Sequence, residues 1–246
     1  LLVIAGNMLM AGGDMAPVEP VVVEETVSDE WEFHASINGW MPEISADLPM
    51  GPIVNIIFKD IIDNLNLTAM STLGAQKGKW GLLTDVVYLN ISKDTFVPVK
   101  PSLAITHLNL KAWIVTPMAT YRFLEEDQWT LDLMGGARYL SIDIPLNLNY
   151  ISQVDGSFHV WDAVVGLRGN YAVDEKWFVP FHFDVGAGDT DLTWQAFAGV
   201  GYKYENFDVI AGYRYLDWRF DKSDTGGKVL DQLTVDGPMF GMKFYF

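Results

Sequence analysis

From Trp31 onward, apolar and polar side chains alternate with a period of two in ten segments: 31–40, 66–77, 79–92, 108–123, 128–143, 157–172, 176–187, 192–204, 207–220 and 231–246. This period marks strands whose two faces meet different surroundings. Several segments reach or exceed the about 9–11 residues that a tilted strand needs to cross a bilayer, whereas strands in soluble domains average about 5–6. The connections alternate in length as well. Residues 76–79, 124–128, 173–176 and 205–206 are tight and 188–191 is short, while 41–65, 93–107, 144–156 and 221–229 are long. Short turns at one end and long loops at the other predict an all-β fold. It is a closed antiparallel transmembrane β-barrel over residues 31–246, of ten strands, or of eight if one weak hairpin is lost. An even count puts both termini on the short-turn, periplasmic side.

Choosing a face for each strand sharpens the expectation, because a spanning strand turns apolar side chains to lipid and keeps polar ones inside. With Leu131, Leu133, Ala137 and Tyr139 outward, Asp132 and Arg138 point inward. Trp161, Ala163, Val165 and Leu167 outward leave Asp162 and Arg168 inside; Val179, Phe181, Phe183 and Val185 leave His182 and Asp184; Val209, Ala211, Tyr213 and Tyr215 leave Asp208 and Arg214. Phe240, Met242, Phe244 and Phe246 outward leave Lys243 inside. The expected inward charges are Asp85, Arg122, Asp132, Arg138, Asp162, Arg168, Asp184, Lys203, Asp208, Arg214 and Lys243, with Lys111, Asp143 and Asp217 as exceptions near outer ends. Their signs alternate along strands, which favours a salt-bridged lumen over a ring of one sign, since an unpaired buried charge costs several kcal/mol.

Aromatic residues follow the same geometry. Trp31, Trp80, Trp129 and Trp177 open odd-numbered segments, and Tyr121, Tyr171, Tyr204 and Phe246 close even-numbered ones, which predicts a girdle at the periplasmic headgroup level. Tyr88, Tyr139, Trp161, Trp194 and Tyr215 would form the outer girdle. A soluble lipocalin-like barrel would need a polar outside, and here that face is Leu, Val, Phe and Tyr.

Composition narrows the partners. With 32 acidic against 16 basic residues and a net charge of -16, nucleic acid is an unsuitable partner, because that affinity comes from Lys and Arg on phosphates. The zero cysteine count excludes a disulfide framework and a thiolate metal site. Residues 1–16 read as a signal-peptide remnant, and 17–30, Pro-rich and acidic, as a periplasmic linker. After Ala16 no apolar run approaches the ~18 residues of a membrane helix. Segment 51–65 departs from the β pattern: Ile53, Ile57, Ile61 and Leu65 recur every four residues behind Pro52, which predicts one short amphipathic helix in the first external loop. That helix would close the barrel mouth or lie on the membrane surface, and Leu83, Val87 and Leu89 would line the lumen beside Asp85. Pro117, Pro180 and Pro238 fall inside strands and would mark bulges.

The last eight residues, Met239 to Phe246, resemble the C-terminal signal of Gram-negative outer-membrane β-barrels, with Gly241, Phe244 and Phe246 in the signal positions. Residues 164–169, 199–202 with 212–215, and 237–241 are similar to the Gly and aromatic punctuation of small barrels broadly of the outer-membrane protein A type. The resemblance implies an outer-membrane location, outer-membrane lipid and lipopolysaccharide as surroundings, and the barrel-insertion machinery as a partner during biogenesis. Acidic loops would hold divalent cations beside lipopolysaccharide. His182 and Asp184 resemble the Asp/His pair of the omptin proteases, also ten-stranded barrels, but the opposing Asp pair of that family has no counterpart here. A hydrogen-bonded interior histidine is the expectation for His182, and for His34. No cofactor or structural metal site is implied. The expected role is structural or surface-interacting, with a largely plugged lumen. A narrow channel for small solutes is the alternative, and a barrel-embedded hydrolase a third reading.

Overall fold

A computed structural model describes residues 30–47, 54–56, 65–100, 103–148, 151–220 and 231–246. The segments assigned to a leader and most of the linker, 1–29, lie outside the described residues. The strands are β1 (Glu32–Trp40), β2 (Glu43–Asp47), β3 (Val54–Ile56), β4 (Leu65–Lys77), β5 (Trp80–Lys100), β6 (Leu103–Glu125), β7 (Trp129–Leu148), β8 (Ile151–Ala172), β9 (Trp177–Gly188), β10 (Leu192–Lys203), β11 (Phe207–Arg219) and β12 (Gln232–Tyr245). β1 pairs with β4, each of β4 to β11 pairs with the next, and β12 pairs back to β1, all antiparallel. The result is a closed ten-stranded barrel.

β2 prolongs β1. Trp40↔Met239 in β1 and Glu43↔Asp236 in β2 keep one register along β12, and Met41 donates its N–H to the Pro238 carbonyl at 3.0 Å. β3 pairs with the other edge of β2 and is one strand beyond the ten. Val54–Ile56 are therefore extended, so the expected helix does not run through them, and Leu65 begins β4. Residues 51–53 and 57–64 of that expectation lie outside the described residues.

Two further expectations are corrected. Of the segments 93–107 and 144–156, read as loops, residues 93–100, 103–107, 144–148 and 151–156 are the upper parts of β5 to β8, which reach 20–23 residues. Their prolines and charges imitate a loop, yet the strands stay paired, with shifts at Asp94/Val97, Pro98/Lys100 and Leu146/Leu148. Crossing a bilayer sets a minimum strand length and no maximum. The inner prolines mark no bulge: the register on either side of Pro117, Pro180 and Pro238 is unchanged. Pro180 leaves a gap in the β9–β10 ladder between Phe181↔Ala198 and Phe178↔Gly201. Pro238 faces the break between β1 and β2 at Met41 and Pro42, so its missing N–H falls where the ladder is already interrupted.

At the turn mouth the connections are short. Gly78 adopts φ 57°, the left-handed conformation that a two-residue hairpin turn needs. Between β8 and β9 the Asp174 carboxylate accepts the N–H of Trp177 at 2.7 Å and of Lys176 at 2.8 Å, and these bonds hold its carboxyl below the usual range. Trp80 meets Tyr121 across β5–β6 with ring centroids 4.9 Å apart, Trp129 meets Tyr171 at 4.7 Å, and Trp177 meets Tyr202 at 4.9 Å. Trp31 lies 6.4 Å from Phe33, and Tyr204 stacks on Phe207 at 4.9 Å. A second tier pairs Tyr88 with Trp113, Tyr139 with Trp161 and Trp194 with Tyr215, each at 4.6–4.7 Å. Between the tiers Leu73, Leu82, Leu133, Val165, Phe183, Val200, Tyr213, Phe240 and Met242 are exposed on the outside. Lys111 and Asp143 are cross-strand partners above the second tier. Asp217, expected to face outward, is fully buried, and its Oδ2 accepts from Gln232 at 2.7 Å and Thr234 at 2.8 Å.

Such an apolar belt between aromatic tiers is the outside of a membrane barrel. Val165, 61% exposed, sits between Trp161 and Tyr171 on β8. Val165→Arg is expected to cost about 2–4 kcal/mol in denaturant unfolding from lipid vesicles. Unchanged stability would mean that this face does not contact hydrocarbon.

Candidate functional site

The inward side chains form an ordered series from the turn mouth upward. On β7 they run Thr130, Asp132, Met134, Arg138, Leu140 and Ile142; on β11 they run Asp208, Ile210, Arg214, Leu216 and Trp218. Polar residues thus occupy the turn half and apolar ones the loop half. A cavity of about 360 Å³ fills the turn half and is lined by residues including His34, Asp85, Asp132, His182, Arg214 and Lys243.

At the roof of this chamber charges are joined in one buried network. Arg138, with no exposed surface, donates to Asp184 Oδ1 at 2.6 Å and to Thr193 Oγ1 at 2.9 Å. Asp184 Oδ2 lies 2.6 Å from His182 Nε2 and accepts from Gln195 Nε2 at 3.2 Å. Gln195 Oε1 accepts from Arg214 Nε at 3.0 Å and Nη2 at 2.5 Å, and the same Nη2 donates to Asp85 Oδ2 at 2.6 Å. Gln195 is the hinge of this chain, since its amide bonds Asp184 with one end and Arg214 with the other. Both guanidinium groups lie against indoles: Arg138 is 6.0 Å from the Trp218 ring and Arg214 5.1 Å from the Trp40 ring.

Those two tryptophans belong to the tier above. Trp40, Ile44, Met70, Val87, Leu89, Ala112, Ile114, Leu140, Ile142, Val160, Leu216, Trp218, Leu233, Val235 and Met239 form one buried apolar cluster in the loop half. Leu83, Met118, Met134 and Val164 form a smaller one against the wall of β5 to β8.

The remaining charges lie lower and differ in their pairing. Asp132 is shared between Arg122 Nε at 3.0 Å and Arg168 Nε at 3.5 Å. Asp208 accepts the Tyr245 hydroxyl at 2.5 Å. Asp162 accepts the Thr190 N–H at 3.0 Å and anchors the β9–β10 turn instead of an ion pair. Lys203 is exposed at the turn mouth, and neither it nor Lys243 makes an ion pair among the described residues, so the salt-bridging expected of the lumen does not extend to these two. At the C-terminus the Asn38 amide occupies the space over Gly241, so a Cβ there would collide with it. Phe244 is half-buried beside Phe207, and Phe246 is exposed, exchanging backbone hydrogen bonds with Phe33.

Sequence reasoning missed Gln195, Thr193, Trp40 and Trp218. The first two carry no charge, yet they share the parity of β10 opposite Trp194, which was the available signal. The tryptophans look like girdle residues until the face of each strand is assigned.

Closed sheet, apolar outside and polar chamber define a transmembrane β-barrel of the outer-membrane type. No protein-family model matches this sequence, and no curated protein does either. Among solved structures the chain is similar to the outer membrane protease OmpT from Escherichia coli, with a TM-score of 0.54 at 12% identity over 90% of this chain and 99% of that one. Neisserial surface protein A has a TM-score of 0.37 at 14% identity over 88% of this chain and 97% of its own. The attachment invasion locus protein Ail of Yersinia pestis has 0.35 at 11% over 89% and 99%. The first of these likenesses carries the fold.

Asp184→Ala leaves Arg138 buried without its counter-charge and is expected to destabilise the barrel by about 3–5 kcal/mol in denaturant titration. The double variant Arg138→Met with Asp184→Leu should recover much of that loss. Equal destabilisation by single and double variants would show that the ion pair is not what the site depends on.

Proposed function

We propose that the protein is an integral outer-membrane barrel with a structural or surface-interaction role, with periplasmic termini and a lumen closed in its loop half. The observation that carries this reading is the buried apolar cluster of Trp40, Leu140, Leu216, Trp218 and their neighbours, which packs on the Arg138 and Arg214 guanidinium groups. Among the described residues this cluster offers a hydrated ion aliphatic chains and indoles, and no charge or carboxylate to replace its water. The tall hairpins support a surface role: twelve residues of β5 lie beyond Tyr88, roughly 40 Å of strand above the outer aromatic tier. Outer-membrane lipid and lipopolysaccharide would surround the belt, and the ending at Gly241, Phe244 and Phe246 would serve the barrel-insertion machinery. His182 has a structural use in this reading, because both oxygens of Asp184 are already bonded to Arg138, Gln195 and His182 itself.

Purified protein in planar lipid bilayers is expected to show no conductance steps, and the double variant Trp40→Ala with Trp218→Ala to produce them. Stable steps from the unmodified protein would refute the closed lumen and favour a narrow channel.

A further inference from the structure

The chamber at the turn mouth has the opposite charge to the protein. The chain carries a net charge of -16, but the chamber is lined by five cationic side chains, Arg122, Arg168, Lys203, Arg214 and Lys243, against three carboxylates. Each carboxylate is already engaged. Asp85 is bonded to Arg214, Asp132 is shared by two arginines, and Asp208 accepts from Tyr245. Lys203 and Lys243 flank Asp208 in cross-strand register, and their ammonium groups lie over the Phe178 and Tyr245 rings at 5.8 and 4.7 Å, without an ion pair among the described residues. Lys243 on β12 is also within electrostatic reach of Arg168 on β8 and Arg122 on β6, besides the engaged carboxylates Asp208 and Asp132. The β6–β8 wall and β12 across the lumen therefore aim like charges at one space.

Cations gathered in a walled cavity repel one another unless an anion neutralises them. Among the lining residues two positive charges are in excess, with only the exposed Glu125 meeting Arg122 from outside the chamber at 3.4 Å, and arginine guanidinium groups suit the oxygens of a phosphate. The volume of about 360 Å³ is at the small end of the range for organic ligands.

We propose that this chamber binds a small soluble phosphate-bearing anion, entering by the turn mouth and held between Lys243, Arg168 and Arg122. The sheet walls the chamber from the surrounding lipid, so the source is a solute and not a phospholipid headgroup. This goes beyond the closed-lumen reading and is tested without any conductance, so either can fail alone.

Inorganic phosphate is the probe, titrated by calorimetry at constant ionic strength into the folded barrel in non-ionic detergent free of phospholipid. One saturable site is expected. Lys243→Gln should weaken it about tenfold or more, and Lys79→Gln, at an exposed turn, should leave it unchanged. If Lys243→Gln does not fold, acetylation of the unmodified protein read by mass spectrometry replaces it, with phosphate expected to slow reaction at Lys243 severalfold and not at Lys79. Absence of saturable binding overturns the proposal. So does binding indifferent to Lys243 in both measurements, or a response only to micelles containing anionic phospholipid.

Discussion

A backbone N–H or C=O left unpaired in hydrocarbon costs several kcal/mol, so a sheet in a membrane must close on itself. In this chain the closure is the pairing of β1 with β12, from His34↔Tyr245 to Trp40↔Met239. Everything else is arranged around that seam. Phe246 exchanges two backbone bonds with Phe33 at 2.9 and 3.4 Å, so the last residue of the chain also fastens the seam. Asn38 fits over Gly241 because no Cβ stands in the way. Pro238 lacks its N–H opposite Met41, where β1 gives way to β2, and the Met41 N–H still bonds the Pro238 carbonyl at 3.0 Å.

Closure creates an interior that must be filled, and the chain fills its halves by different physics. The loop half is packed with aliphatic side chains and two indoles, as a soluble core would be. The turn half keeps a polar chamber. Between them lies the chain Arg138–Asp184–Gln195–Arg214–Asp85, whose guanidinium groups bond carboxylates on one side and lie against Trp218 and Trp40 on the other, the layer at which the proposed closure begins. Arg suits this position better than Lys, since a planar cation can hydrogen-bond and face a ring at once. Charges below this layer are less completely paired, and the surplus is positive.

Much of the wall was legible in the sequence. A period of two gives the side on which Asp132 or Val165 lies, because one residue of slip would turn every charge toward lipid. The strand count followed from the ten alternating segments and the tight connections between them, such as 76–79 and 173–176. The heights of β5 to β8 were not legible, because the membrane sets only a minimum length and Pro98 and Pro145 read as loop residues. The identity of the lumen network was half legible. Charged members announce themselves by their cost, whereas Gln195 and Thr193 matter only through partners brought near by closure. Trp218 shares the inward parity of Asp208 and Arg214, but its place against Arg138, like that of Trp40 against Arg214, follows only from closure of the sheet.

The division of the lumen is most directly tested by the reactivity of single cysteines, since the chain contains none of its own. Ser36→Cys faces the chamber, and Leu140→Cys lies in the apolar tier. In barrels reconstituted in lipid vesicles and treated with a membrane-impermeant maleimide from each side in turn, Ser36→Cys should react from the turn mouth only. Leu140→Cys should react from neither side until the protein is denatured. Labelling of Leu140→Cys in the folded barrel from either side would contradict a lumen closed by an apolar tier.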